Sequence, residues 1–129
     1  VPATAQGFAA ASALVRDGAT VLVTAVYSVS QALACAAIGV QYIAPYLGRM
    51  RDAGLDGDAT IARMQEVCAG SDSNVLAASL RSPDDITGLR LAGVPYFTAA
   101  PDVLDRVLFH EVSDSSAAEF DAAMVRLGA

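Results

Sequence analysis

Between Gly18 and Gly48 the chain carries no charged residue, and its apolar positions change rhythm twice. VLVTAVY (21–27) is β-branched and aromatic. SQALACAAIG (30–39) is rich in Ala and Leu and closes on Gly39. VQYIAPY (40–46) is β-branched and aromatic again. This rhythm predicts a strand over Thr20–Val26, a helix from about Ser28 to Ile38, and a strand over Val40–Tyr46, which together make a βαβ unit. An apolar stretch this long is also the first sign of a membrane span. Thr24, Ser28, Ser30, Gln31 and Gln41 interrupt it, Pro45 lies near its end, and no Lys/Arg asymmetry marks a flank. The buried strand–helix–strand reading is therefore preferred to a membrane one.

The same alternation continues on both sides. Val1–Thr4, with Pro2, reads as the tail of a strand. Thr4 caps a helix over Ala5–Asp17, with Phe8, Ala11, Leu14 and Val15 on one face and Gly18 as the stop. Gly48 to Gly57 reads as a loop rich in Gly and Asp. Asp58 is expected to cap a helix through about Ala69, with Ile61, Met64 and Val67/Cys68 at helical spacing. Asn74–Leu80 is a buried strand. Ser82-Pro83-Asp84-Asp85 opens a helix that ends at Gly93. Val94–Ala99 is a fourth strand, Pro101 opens a helix to about Phe109, and Ser115 or Ser116 caps a last helix with Phe120, Met124 and Leu127 on its apolar face. Strands alternating with helices mean a parallel sheet with right-handed crossovers. Strands apolar on both faces mean a sheet that is covered or closed. A doubly wound sheet and part of a (β/α)8 barrel both fit. No GxGxxG or GxxxxGK[ST] follows a strand, so a dinucleotide or P-loop site has no support.

The 129 residues suffice for one domain, and 54% apolar with 17% charged residues describe a packed chain, not a disordered one. A net charge of −6 argues against a nucleic-acid partner. Cys35 and Cys68 belong to no CxxC or Cys/His cluster, so buried free thiols in a reducing cytoplasm are expected. The stretch VPATAQGF lacks the charged and apolar regions of a signal peptide. All eight basic residues are arginines: Arg16, Arg49, Arg51, Arg63, Arg81, Arg90, Arg106 and Arg126. With no lysine, the chain cannot form a Schiff base through its own side chains.

In a parallel barrel the chemistry sits at the carboxyl ends of the strands. The polar residues there are Thr24 and Tyr27, Tyr46 with Arg49, Ser79 with Arg81, and Thr98. Each alone has an ordinary reading as a strand former, a wetted aromatic or a solvated charge. Together, two arginines and a serine after neighbouring strands of an acidic chain suggest a phosphate cradle. His110, the single histidine, reads as a structural residue at the end of the helix that Pro101 opens. Asp52, Asp56 and Asp58 do not match an EF-hand spacing and read as loop and cap residues. No metal site is expected.

VPATAQGFAAASAL, VLVTAVYSVSQALAC, YIAPYLGRMRDAG, VLAASLRSPDDI and LFHEVSDSSAAEFDAAM resemble consecutive blocks of the small transaldolases and fructose-6-phosphate aldolases. These are class I Schiff-base aldolases on a (β/α)8 barrel, and the resemblance covers essentially the whole chain. It implies that Thr24 is the active-site threonine near the nucleophilic lysine and that Gln31, the glutamine opening the next helix, is a substrate-binding residue. It implies that Ala44 faces the substrate and that Tyr46 holds the catalytic water and assists proton transfer. Arg49 and Ser79 correspond to the pair that binds the substrate phosphate. In that family a tyrosine at the position of Tyr46 goes with aldolase behaviour, and a phenylalanine with transaldolase behaviour.

The resemblance also implies the C-terminal part of a barrel, four strands and the tail of a fifth over residues 1–114, completed by a missing N-terminal segment or partner chain. That part would supply the lysine, expected immediately before Val1-Pro2. A split pair of chains, a cleaved protein, or an interruption at a modified lysine would each account for this. No cofactor is implied. Homo-oligomeric rings are, with the C-terminal helix (115–129) able to reach a neighbouring subunit. The competing readings are a non-catalytic half-barrel that serves as a binding or assembly module, whose open sheet edges need a partner, and another phosphate-binding barrel enzyme.

Overall fold

A computed structural model describes residues 1–128. Four strands, β1 (Leu22–Val26), β2 (Tyr42–Pro45), β3 (Asn74–Leu80) and β4 (Tyr96–Ala99), form one parallel sheet in the order β1-β2-β3-β4. Seven helices accompany them: α1 (Ala5–Arg16), α2 (Val29–Ile38), α3 (Leu47–Asp52), α4 (Gly57–Cys68), α5 (Pro83–Leu91), α6 (Pro101–Leu108) and α7 (Glu111–Leu127). Each crossover between neighbouring strands carries at least one helix, as parallel strands require. Val1–Ala3 lies beside β1 as a further parallel strand position. Pro2 pairs with Thr24, the Thr24 N–H donates to the Val1 carbonyl at 2.8 Å, and the Ala3 N–H donates to the Thr24 carbonyl at 2.9 Å.

Strand alternation divides the residues between two faces. Val23, Ile43, Val75 and Ala77 are fully buried and form the core with Ala32 and Cys35 of α2, Ile61 and Met64 of α4, and Leu47 and Met50 of α3. Complete burial of a Val, Ile, Leu or Met side chain contributes about 1.5–3 kcal/mol, so this layer is the main stabilising term. The opposite face carries Thr24, Tyr42, Ala44, Leu76 and Tyr96. There the Tyr42 and Tyr96 rings meet edge-on across β3, with centroids 5.6 Å apart. Cys35 and Cys68 are buried and unbridged. No described helix is long and apolar enough to cross a membrane.

Three local expectations change. Gly48–Gly57, read as a loop, contains the short helix α3, whose Leu47 and Met50 anchor in the core. Asp56, not Asp58, caps α4, its carboxylate accepting from the Ala59 N–H at 3.1 Å. The earlier start lets Gly57 lie against Leu47, where an added Cβ would come within 2.9 Å of Cδ1, and it frees Asp58 for Arg51. The last helix begins at Glu111, not Ser115 or Ser116, and its cap is His110. The His110 Nδ1 accepts from the Val112 N–H at 3.3 Å, so the imidazole serves the start of α7 and not the end of α6. α7 buries no residue against the rest of the chain, and Phe120, Met124 and Leu127 are exposed.

Candidate functional site

β2 and β3 end side by side, with Tyr46 bridging to Ala78. Just beyond, a hollow of about 300 Å³ is lined by Tyr46, Arg49, Ala78 and Ser79. Two features of the chain shape it. After Pro45 the backbone turns directly into α3, which places Arg49 one helical turn above Tyr46. In β3 the pairing with β4 slips between Ala77 and Leu80, and Ser79 adopts a left-handed backbone with φ 57°. A non-glycine residue in that region persists only where its surroundings enforce it, and such residues cluster at functional sites. Ala25, at the matching end of β1, has φ 55° beside a similar slip after Thr24.

The Tyr46 ring has neighbours on two sides. The Arg49 guanidinium carbon lies 4.8 Å from its centroid, a cation–π contact. The Tyr27 ring meets it edge-on, with centroids 6.1 Å apart and planes at 89°. Stacking orients the guanidinium without occupying its N–H donors, and among the described residues Arg49 makes no ion pair. Thr24 and Ala44 are register partners on β1 and β2, one pleat below Tyr46 on the same sheet face. The Thr24 hydroxyl donates to the Val1 carbonyl at 3.4 Å.

Gln31 sits apart from the hollow, in the β1–α2 turn. Its Oε1 accepts from the backbone N–H groups of Tyr27 (2.9 Å) and Ser28 (3.2 Å), and its Nε2 donates to the Ala3 carbonyl at 3.3 Å. It completes a capping box with Ser28 and ties the N-terminal stretch to the rim.

Arg81, the second arginine of the supposed cradle, is engaged elsewhere. Its guanidinium makes two hydrogen bonds to Asp52, at 2.8 and 2.5 Å, and packs over Gly48. This fork holds Asp52 below the ordinary carboxylate range. Residue spacing did not single out Gly48, Asp52 or Asp85 for this rim. Asp85 belongs to the Ser82 cap that the sequence announces, but its partner Arg51 and the neighbours of Gly48 and Asp52 lie on other elements, so no local pattern marks those contacts. Among the described residues, no cluster of three or more His, Cys, Asp or Glu could hold a metal ion. An arginine and a serine hydroxyl at the carboxyl ends of parallel strands are groups able to donate hydrogen bonds to an anion, and the adjacent phenol is able to exchange a proton.

The sequence matches the Transaldolase/Fructose-6-phosphate aldolase family over residues 1–128. The chain belongs to this family. It is 36% identical over 130 residues to a protein named "Probable transaldolase" from Cereibacter sphaeroides (strain ATCC 17025), covering 99% of this chain and 59% of that protein. A protein of the same name from Hyphomonas neptunium is 34% identical, with 99% and 60% covered. One from Methanococcus maripaludis is 33% identical over 122 residues, with 93% and 57% covered. The chain thus spans about three-fifths of the length of these relatives. The family fold is a TIM barrel, and the parallel βα succession seen here is part of one.

Proposed function

We propose that the protein is a class I aldolase of the fructose-6-phosphate aldolase/transaldolase type. It makes or breaks a carbon–carbon bond of a ketose or ketose phosphate through a Schiff base on a lysine carried by the segment or chain preceding Val1. The observation that supports this most is the convergence of Tyr46, Arg49 and Ser79 on one hollow at the carboxyl ends of β2 and β3.

The lysine amine adds to the ketose carbonyl and water leaves, giving an iminium that accepts the electron pair of the breaking bond. The hydroxyl on the departing fragment loses its proton as that bond breaks. Tyr46, through a water positioned with help from Thr24, takes that proton and later returns one to the enamine carbon. Arg49 and Ser79 grip the phosphate, which fixes the reacting carbons relative to the lysine. Ala44, small and buried beneath the rim, leaves room for the sugar carbons. Gln31 acts by fixing the turn that carries Tyr27. Tyr46 favours direct aldol cleavage and addition over transfer. Buried, unbridged Cys35 and Cys68 suit a cytoplasmic enzyme. The exposed stripe of α7 serves assembly into a ring of identical subunits.

Trapping with borohydride and dihydroxyacetone tests the chemistry. One lysine outside residues 1–129 should carry the reduced adduct. Full aldol activity with no trappable lysine would end the proposal.

A further inference from the structure

We infer that Arg51 and Asp85 form a positioning pair for the anion site: one buried carboxylate fastens the backbone just after Ser79 to the helix that carries Arg49. This rests on the phosphate-binding reading of Arg49 and Ser79 given above. Asp85 is 6% exposed and stands in the first turn of α5. Its Oδ2 accepts from the backbone N–H groups of Arg81 (2.7 Å) and Ser82 (3.1 Å), while the Ser82 hydroxyl accepts from the Asp85 N–H at 3.2 Å. That is a capping box, and it uses one carboxylate oxygen. The other, Oδ1, accepts from Arg51 Nη1 at 2.7 Å. The far edge of Arg51 is fixed by Asp58, through Nε to Oδ2 at 3.1 Å and Nη2 to Oδ1 at 2.9 Å.

Arg51 stands two residues beyond Arg49, and Arg81 two beyond Ser79. Both backbone stretches need outside support. α3 has six residues, too few to be stable by itself, and Ser79 is held at φ 57°. The two meet closely, since a Cβ on Gly48 would come within 2.7 Å of the Ser79 carbonyl oxygen. The separation of Arg49 from Ser79 is therefore set by this contact and by the Arg51–Asp85 bridge that closes it. Neither member of the pair lines the hollow, so both act through Arg49 and Ser79.

The test is titration of the purified protein with inorganic phosphate, by calorimetry and by the amide resonances of Gly48 and Ser79. It compares wild type, Arg49→Gln, Arg51→Gln, Arg51→Lys, Asp85→Asn and the double variant Arg49→Gln/Arg51→Gln. Arg51→Gln should weaken phosphate binding about tenfold, as expected for a lost hydrogen bond to a charged group, and Arg51→Lys should recover most of it. In the Arg49→Gln background, Arg51→Gln should add little, because a residue acting through Arg49 has nothing left to position. If Arg51→Gln and folded Asp85→Asn bind phosphate like wild type, the positioning role is refuted. Full additivity of the two arginine changes also refutes it. Should Asp85→Asn fail to fold, the half-exposed Arg51 variants carry the comparison. Saturable binding lost in Arg49→Gln but kept at wild-type affinity in Arg51→Gln sinks the pair alone. Wild type without saturable binding sinks the phosphate reading, and the pair's role with it.

Discussion

Tyr46 sits between two neighbours that act on different properties of its ring. The Arg49 guanidinium stabilises the electron-rich face, and the Tyr27 edge limits rotation. Changing Tyr46→Phe preserves both contacts and removes only the hydroxyl. If Tyr46 carries the proton as proposed, this substitution should lower the rate of direct aldol cleavage by the complete protein about a hundredfold, the usual contribution of a positioned proton carrier. Transfer to an added acceptor aldehyde should fall less, as paired rate measurements with and without acceptor would show. Gly48 is an opposite case, where the side chain must be absent. Helix propensity alone would make Gly48→Ala favourable by about 1 kcal/mol. The added Cβ would meet the Ser79 carbonyl at 2.7 Å and the Arg81 Nε at 2.6 Å. The arginine can move aside, but the carbonyl is part of the sheet. The clash therefore dominates, and urea unfolding should show a net loss of about 1–3 kcal/mol.

At the level of elements, α5 and α3 are joined through a buried charge, which makes the rim acid-sensitive. Burial alone would raise the Asp85 pKa. The backbone N–H of Arg81, the Arg51 guanidinium and the Ser82 N–H together outweigh it and hold the carboxyl below its ordinary 3.8. In the unfolded chain Asp85 binds its proton at a higher pH than in the native state. Its contribution is therefore complete well above 3.8 and is lost as the pH falls through the lowered native value. Urea unfolding midpoints measured below the ordinary carboxylate range should fall more steeply in wild type than in Asp85→Asn.

The α2–α4 interface makes a second case. Burial, with a smaller contribution from Cys68, pushes the Cys35 thiol up to about 11. At pH 8 it stays a protonated thiol, and the thiolate is the reactive form. A disulfide reagent added to native protein should leave Cys35 unmodified over a time in which the urea-denatured chain reacts completely.

For the molecule as a whole, the two faces of the sheet differ. One packs under α2, α3 and α4, and the other presents Tyr42 and Leu76 half-buried and Tyr96 exposed. Parallel sheets are stable when both faces are covered, and in the family barrel the second face is the interior. The long helix α7 stands outside this layering with Val112, Phe120, Met124, Val125 and Leu127 exposed. If it joins subunits, removing residues 111–129 should leave the circular dichroism of the remaining elements unchanged and reduce the particle mass seen by light scattering. An unchanged mass would exclude that role.

Amino-acid order alone determined the succession of strands and helices apart from α3, the parallel sheet, and Tyr46, Arg49 and Ser79 as residues at strand ends. These follow from periodicity and caps, which act within a few residues: Thr4, Ser28 and Ser82 accept the hydrogen bonds their positions imply. Tertiary structure decided which arginine faces the hollow. Arg49 and Arg81 look alike in the chain, but Asp52, twenty-nine residues away, engages Arg81. It also decided the short helix α3, whose Leu47 and Met50 anchor in the core, the cap of α4, and the left-handed turn at Ser79. Each of these is set by a contact between elements distant in sequence or by a backbone conformation that the residue type does not announce. Local pattern carries no record of such contacts, because their energies arise only when the elements pack.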